Sequence, residues 1–388
     1  MADDIFAGAI KLLLGDESEE VSLGDPDEDF VSVGTMTDFP ARCFIAYGES
    51  VLRFDQVSTS THSREEQVFK RRVYSPELDL ATALALLGDH TEFFTVLPPG
   101  PLGDLVSAEC IEASISIKAA LADEGNHMGD MTLTRSQNGE YQQIVHQRRY
   151  SAFHNTTNHF KWDKGILSDR APCWVHTSLS SFVWTENGLG NWVRLVEAVF
   201  DPKRATEDVL MSLEIKLHEC DAPFSAIWKF AMPFARKMSM LILTAEECLL
   251  IASSLGVATD YLRGKSSSYT DLQPWANLVD SLRLKIECKS IVVPFVHHSE
   301  SVRFVVSHEI GLTLVSPTAF SSAQTHLAKL VHGLMHMGSL EDKERFQTLI
   351  NDLNWSISGP TSEFGSPRSP ERKVRRSIVK RVIEEMSE

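Results

Sequence analysis

No stretch of this 388-residue chain is both long and apolar enough to cross a bilayer. The most apolar region, residues 231–252, is interrupted by Arg236, Lys237, Glu246 and Glu247, so it falls short of the roughly 20 uncharged residues a spanning helix needs. No secretory leader is expected either, because Met1-Ala2-Asp3-Asp4 is acidic where such a leader is basic. Both absences predict an intracellular protein, cytoplasmic or nuclear, or one packed in a virion if a virus encodes it. No Cys-x-x-Cys pair occurs among Cys43, Cys110, Cys173, Cys220, Cys248 and Cys288. That excludes a zinc ribbon, a dithiol redox motif and a disulfide scaffold, and leaves the thiols as small apolar side chains. Cofactor loops are lacking too. Gly188-Leu189-Gly190 opens a helix, but Val193 stands where a third glycine is needed, and Gly264-Lys265-Ser266 has no upstream glycine. Gly-x-Ser-x-Gly is absent. No cofactor is expected.

What is present is enough apolar residue for a folded globule, 43% hydrophobic and 9% aromatic. Residues 42–47 and 51–57 read as strands of a hairpin around Gly48-Glu49-Ser50. Residues 78–96 read as a helix that ends at Pro98-Pro99-Gly100-Pro101, and 110–118 as a strand with one wet face, from its period-two alternation. Asn138-Gly139 marks a hairpin between 131–137 and 140–150, since the pair suits the left-handed turn such a loop requires. A strand is expected over 174–184, a helix over 191–200, and one or two apolar helices over 223–255 with a boundary or kink at Pro233. Hairpin strands at 291–296 and 302–306, an extension at 312–315 and helices at 321–337 and 340–353 complete the body. The fold class is α+β, with a strand-rich half followed by a helix-rich half and flexible charged ends. The expected division is an acidic leader with a short amphipathic helix (1–32), a strand-rich domain (33–190), a mainly helical domain with a hairpin near 291–306 (191–357) and a basic tail (358–388).

Three sets of residues bear on chemistry. His332 and His336, four apart on one helix face, have the spacing of two zinc ligands. Gly333 stands where a zinc protease needs glutamate, and no third ligand is evident in sequence, so no metal is expected. His297, His298, His308 and Glu309 near strand ends suit general-base work. Arg71, Arg72 and Tyr74, and likewise Arg148, Arg149 and Tyr150, pair phosphate-binding guanidinium groups with rings that stack on bases, the chemistry of single-stranded nucleic-acid binding.

Charge is distributed unevenly. The net charge is −16, yet Arg372, Lys373, Arg375, Arg376, Lys380 and Arg381 make the tail basic, as in nuclear-import or acidic-partner segments. Ser366, Ser369 and Ser377 within or beside it are sites where phosphorylation would cancel that charge. Together these features read first as a non-enzymatic assembly or nucleic-acid-associated protein, of the viral nucleocapsid, matrix or movement type. Its expected partners are further copies of itself, single-stranded nucleic acid, and an acidic protein or import receptor. The alternatives are a hydrolase or transferase with a histidine-based site and a regulatory adaptor acting through its charged ends.

Overall fold

Strand segments with both faces apolar alternate along the chain with amphipathic helices, a pattern that builds a sheet covered on both sides. The computed structural model describes residues 31–33, 43–56, 69–135, 141–145, 148–162, 166–167, 174–201, 209–220, 222–262, 272–297, 301–309, 311–315, 323–336, 346 and 348–349. The first part holds β1 (Val31–Val33), β2 (Phe44–Tyr47), β3 (Val51–Gln56), β4 (Phe69–Tyr74), α1 (Pro76–Leu86), β5 (Thr91–Leu97), α2 (Pro101–Glu112) and β6 (Ser116–Leu121). Next come β7 (Gly129–Arg135), β8 (Tyr141–Val145), α3 (Ala152–Asn155), β9 (Trp174–Ser178), α4 (Glu186–Val199), β10 (Leu210–Glu214), α5 (Phe224–Ala235) and β11 (Met240–Ile242). The chain continues through α6 (Ala245–Leu255), α7 (Gln273–Ile286), β12 (Ser290–His297), β13 (Ser301–His308), β14 (Gly311–Val315) and α8 (Ala323–His336).

Ten strands form one sheet in the order β1-β6-β5-β2-β9-β10-β11-β12-β13-β14. Its middle, from β6 to β12, is parallel, and β1, β13 and β14 add antiparallel edges. Alternate residues feed two cores. Ile45, Tyr47, Phe94, Val96 and Leu241 pack beneath α4 to α7. Phe44, Ala46, Phe93, Leu97 and Met240 face α1, α2 and α8 on the other side. A second sheet, in the order β4-β3-β7-β8, stands apart from the first. The chain passes between the two sheets at the segments β2–β3, β4–α1, β6–β7 and β8–α3.

The mixed α and β composition is as expected, and the Asn138-Gly139 hairpin has the expected partners, with Arg135 opposite Tyr141. The 291–306 hairpin and its extension are also present. Several elements differ for physical reasons. Gly48-Glu49-Ser50 is not a hairpin turn, because β2 and β3 belong to different sheets. The segment expected as one helix over 78–96 is α1 followed by β5, a strand buried on both faces and therefore without alternation. The expected strand at 110–118 begins only at Ser116, since α2 runs on to Glu112. The helix α5 continues two residues past Pro233. Pairing of β9 with β10 crosses the expected domain boundary at residue 190, so the two halves share one sheet. The acidic leader and the basic tail lie outside the described residues, apart from 31–32 of the leader.

Candidate functional site

From β2 the chain winds outward through β5 to β6, whereas from β9 it winds the opposite way through β10 and β11 to β12. The sheet therefore changes direction between β2 and β9. Loops leaving the carboxyl ends of two such strands diverge, and the crevice they leave is the usual ligand position in an open α/β sheet. In this chain the crevice is filled with charge, held by the segments that join the two sheets.

Glu49, just past β2, is 1% exposed. Its carboxylate accepts from Arg148 Nε at 2.7 Å and from Ser151 Oγ at 2.6 Å, and His154 Nε2 lies 3.3 Å away. Burial alone would raise its pKa, but the charges of Arg148 and His154 and the hydrogen bonds to His154 and Ser151 outweigh burial and bring it down to about 2. Arg148 is equally buried and lies 5.4 Å from the Trp184 ring. Its Nη1 has no hydrogen-bond partner among the described residues and sits 3.9 Å from Glu219 Oε2.

Glu77, in the first turn of α1, is fully buried without a paired cation among the described residues. It accepts from Ser75 Oγ at 2.7 Å, the Ser178 backbone N–H at 2.7 Å and Ser181 Oγ at 2.9 Å. Desolvation dominates these bonds and pushes its pKa up to about 7. A Cβ at Gly48 would overlap this carboxyl, so glycine is what lets Glu77 lie against the end of β2.

Beyond β10 the chain turns at Lys216 in a left-handed conformation, φ 52°. Lys216 Nζ donates to Tyr74 Oη at 3.2 Å and lies 3.7 Å from both Glu214 Oε1 and Glu219 Oε1. Tyr74 Oη donates to Glu219 Oε1 at 2.6 Å. Burial pushes Glu214 up to about 7 against the pull of Lys216. Glu219 falls below its ordinary value because Lys216 and Arg148 overcome the cost of burial. Glu247 closes a capping box with Thr244 at the start of α6 and also accepts from the Leu217 backbone N–H at 2.6 Å. A cavity of about 190 Å³ opens here beyond the ends of β10, β11 and β12, lined by Glu214, Lys216, His218, Thr244, Glu247 and Leu327 among others.

The residues expected to bind nucleic acid do not form one surface. Tyr74 and Arg148 are buried among the acids just described. Arg72 pairs with Asp55 at 3.1 Å, with its guanidinium 5.5 Å from the Tyr74 ring centre. Arg71 and Tyr150 are exposed, and Arg149 is half-buried. His298 and the tail residues Arg372, Lys373, Arg375, Arg376, Lys380 and Arg381 lie outside the described residues. His308 and Glu309 sit at the opposite edge of the sheet from the crevice, because His308 pairs with Ser290 at the start of β12. His297, opposite Ser301, is at the carboxyl end of β12, the same end of the sheet as the crevice. Gly188 serves packing, since a Cβ there would overlap the Phe182 carbonyl and come 2.8 Å from His154 Nδ1. Cys43, Cys110, Cys248 and Cys288 are buried free thiols, and Cys220 is a half-buried one. Among the described residues no helix is long and apolar enough to cross a membrane.

No family model and no curated protein matches the sequence. Solved structures do match the fold. A 2-dehydro-3-deoxygluconokinase from Thermotoga maritima is 18% identical, with a TM-score of 0.60 over 82% of this chain and 93% of that one. A PfkB protein from a Polaromonas species is 14% identical, with a TM-score of 0.57 over 81% and 96%. A fructokinase from Vibrio cholerae, with fructose, ADP and calcium bound, is 12% identical, with a TM-score of 0.55 over 81% and 91%. The fold is thus that of the PfkB carbohydrate kinases. This overturns the expectation of a nucleic-acid-associated viral structural protein, and with it the nuclear and virion settings lose their support. The buried positions of Tyr74 and Arg148 supply the physical reason.

Proposed function

We propose that this chain is a phosphotransferase that moves a phosphoryl group from a nucleoside triphosphate to a hydroxyl of a small sugar-type acceptor. The observation that carries the reading is the cavity beyond β10 to β12, where Lys216 faces Glu214 and Glu247 beside the crevice between β2 and β9. The fold's solved neighbours act on sugars, and one of them holds fructose and ADP. Phosphoryl transfer is mostly a matter of positioning and charge, with little covalent work for the protein. In this reading Lys216 meets phosphate charge. Glu214, with its pKa near neutrality, takes the proton of the attacking hydroxyl as the new O–P bond forms and the bond to the nucleotide breaks. This is the transferase alternative, without its histidines. A nucleotide-using reaction also favours an intracellular setting.

The ion pair of Glu49 with Arg148 supports a second reading, in which the crevice is closed by the chain's own charges and the protein binds its ligand without turning it over. One experiment separates the two. Full-length protein is incubated with ATP, magnesium and a panel of hexoses and keto-deoxy sugar acids, with ADP release and thermal midpoint both followed. Sugar-dependent ADP release that falls at least tenfold in Lys216→Ala supports transfer. A midpoint raised by ADP or sugar without turnover supports binding alone. Neither response would overturn both readings.

A further inference from the structure

Asp89, in the turn between α1 and β5, supplies the third ligand that the spacing of His332 and His336 lacks in sequence. Its side chain is 3% exposed, and its two oxygens lie 2.8 Å from His332 Nδ1 and 2.8 Å from His336 Nε2. The histidine rings are 4.6 Å apart. One donor atom from each of the three residues falls within 4.8 Å of the other two. We propose that Asp89, His332 and His336 form a binding site for a divalent transition metal of the zinc class, separate from the crevice.

The donor set, two imidazoles and a carboxylate, suits a borderline ion such as zinc, nickel or cobalt, and is too rich in nitrogen for magnesium or calcium. Zinc holds such ligands at about 2.0–2.2 Å, so tetrahedral neighbours stand roughly 3.3 Å apart. Each histidine nitrogen need retreat from the carboxylate only by about half an ångström for an ion to enter. The histidine side chains are 38% and 49% exposed, which gives the ion a path in from solvent and leaves the fourth position to water. Gly333, between them, packs closely on the Leu349 side chain, so a larger residue there would displace that side chain.

Its position suggests a clasp. Helix α1 runs from Glu77 at the crevice toward Asp89, and its 11 residues span about 16 Å. Helix α8 carries the histidines at its C-terminal end and Leu327, which lines the cavity, nearer its start. An ion held by Asp89, His332 and His336 ties the far ends of these two helices together while their near ends border the site.

The test uses the full chain, stripped with a chelator and dialysed. Zinc is added alone, bound metal is measured after gel filtration, and thermal midpoint is followed. About one zinc per chain is expected, with a midpoint rise of a few degrees. His336→Ala, a change at a half-exposed position, should lower zinc affinity at least tenfold and remove the midpoint rise while leaving circular dichroism unchanged. Asp89→Asn should also weaken binding. Cobalt added to the unaltered chain should give the visible absorption of a tetrahedral site, a readout that needs no variant. Zinc binding unchanged in His336→Ala overturns the proposal. So does a stripped wild-type chain that takes up no zinc and shows no cobalt spectrum, in which case the triad is a hydrogen-bonded contact only.

Discussion

Two buried glutamates in the crevice have opposite responses to protons. Glu49 has its pKa lowered to about 2 from 4.5, so its contribution to stability is complete above pH 4.5 and is lost as pH falls toward 2. Glu77 is raised to about 7, so ionising it in the unfolded chain but not in the folded one costs stability as pH climbs from 4.5 to 7. Each effect is about 3 kcal/mol at most. From these two groups alone, stability is greatest near pH 4.5. Urea unfolding against pH should show this, and Glu77→Gln should reduce the decline between pH 4.5 and 7, leaving the share that Glu214 adds and the acid side in place. A decline that persists unchanged in Glu77→Gln would assign it elsewhere. Glu49→Gln breaks the buried pair with Arg148, leaving it Glu219 at 3.9 Å, and should cost about 3 kcal/mol. None of this was legible in the sequence. Arg148 was singled out for its aromatic neighbour, and Glu49 was passed over as a turn residue, because the two are 99 positions apart. Gly48 and Pro76, which flank these acids, are the local marks that accompany them.

At the scale of elements, two hairpins were the legible part. The turn Asn138-Gly139 located a hairpin, and the apolar runs 291–296 and 302–306 located another. Strands buried on both faces were read unevenly: β2 and β9 fall in segments expected as strands, whereas β5 does not. In β5 the residues Thr91–Leu97 are buried without exception, so no period marks them, and the preceding helix seemed to run on. The start of α6 is a direct test of the local account. Thr244 caps Glu247 while Glu247 caps Thr244, and the same carboxylate reaches Leu217 beyond β10. Thr244→Ala should therefore cost about 1 kcal/mol, the ordinary value of a lost cap. Glu247→Ala should cost more, because it leaves the Leu217 backbone N–H without its acceptor as well. Equal losses in the two variants, measured by denaturant unfolding, would mean that the reach to Leu217 contributes nothing.

At the scale of the whole molecule, direction of winding was the missing information. A reading in chain order divides the protein into a strand-rich and a helical half. Hydrogen bonding instead joins β2 to β9 and β9 to β10, and puts the candidate site at that seam. The small sheet has a different status. Three of the four segments that lead into or out of it carry Glu49, Ser75 with Glu77, or Arg148 with Ser151, and the fourth is bridged to Ser151 through His127. The small sheet is thus a flap whose hasp is an acid–base pair. Unfastening it by acid below pH 4 or by Glu49→Gln should speed amide exchange in β3, β4 and β7 while β5 and β9 stay protected, and the flap should come loose as a unit before the rest of the molecule melts.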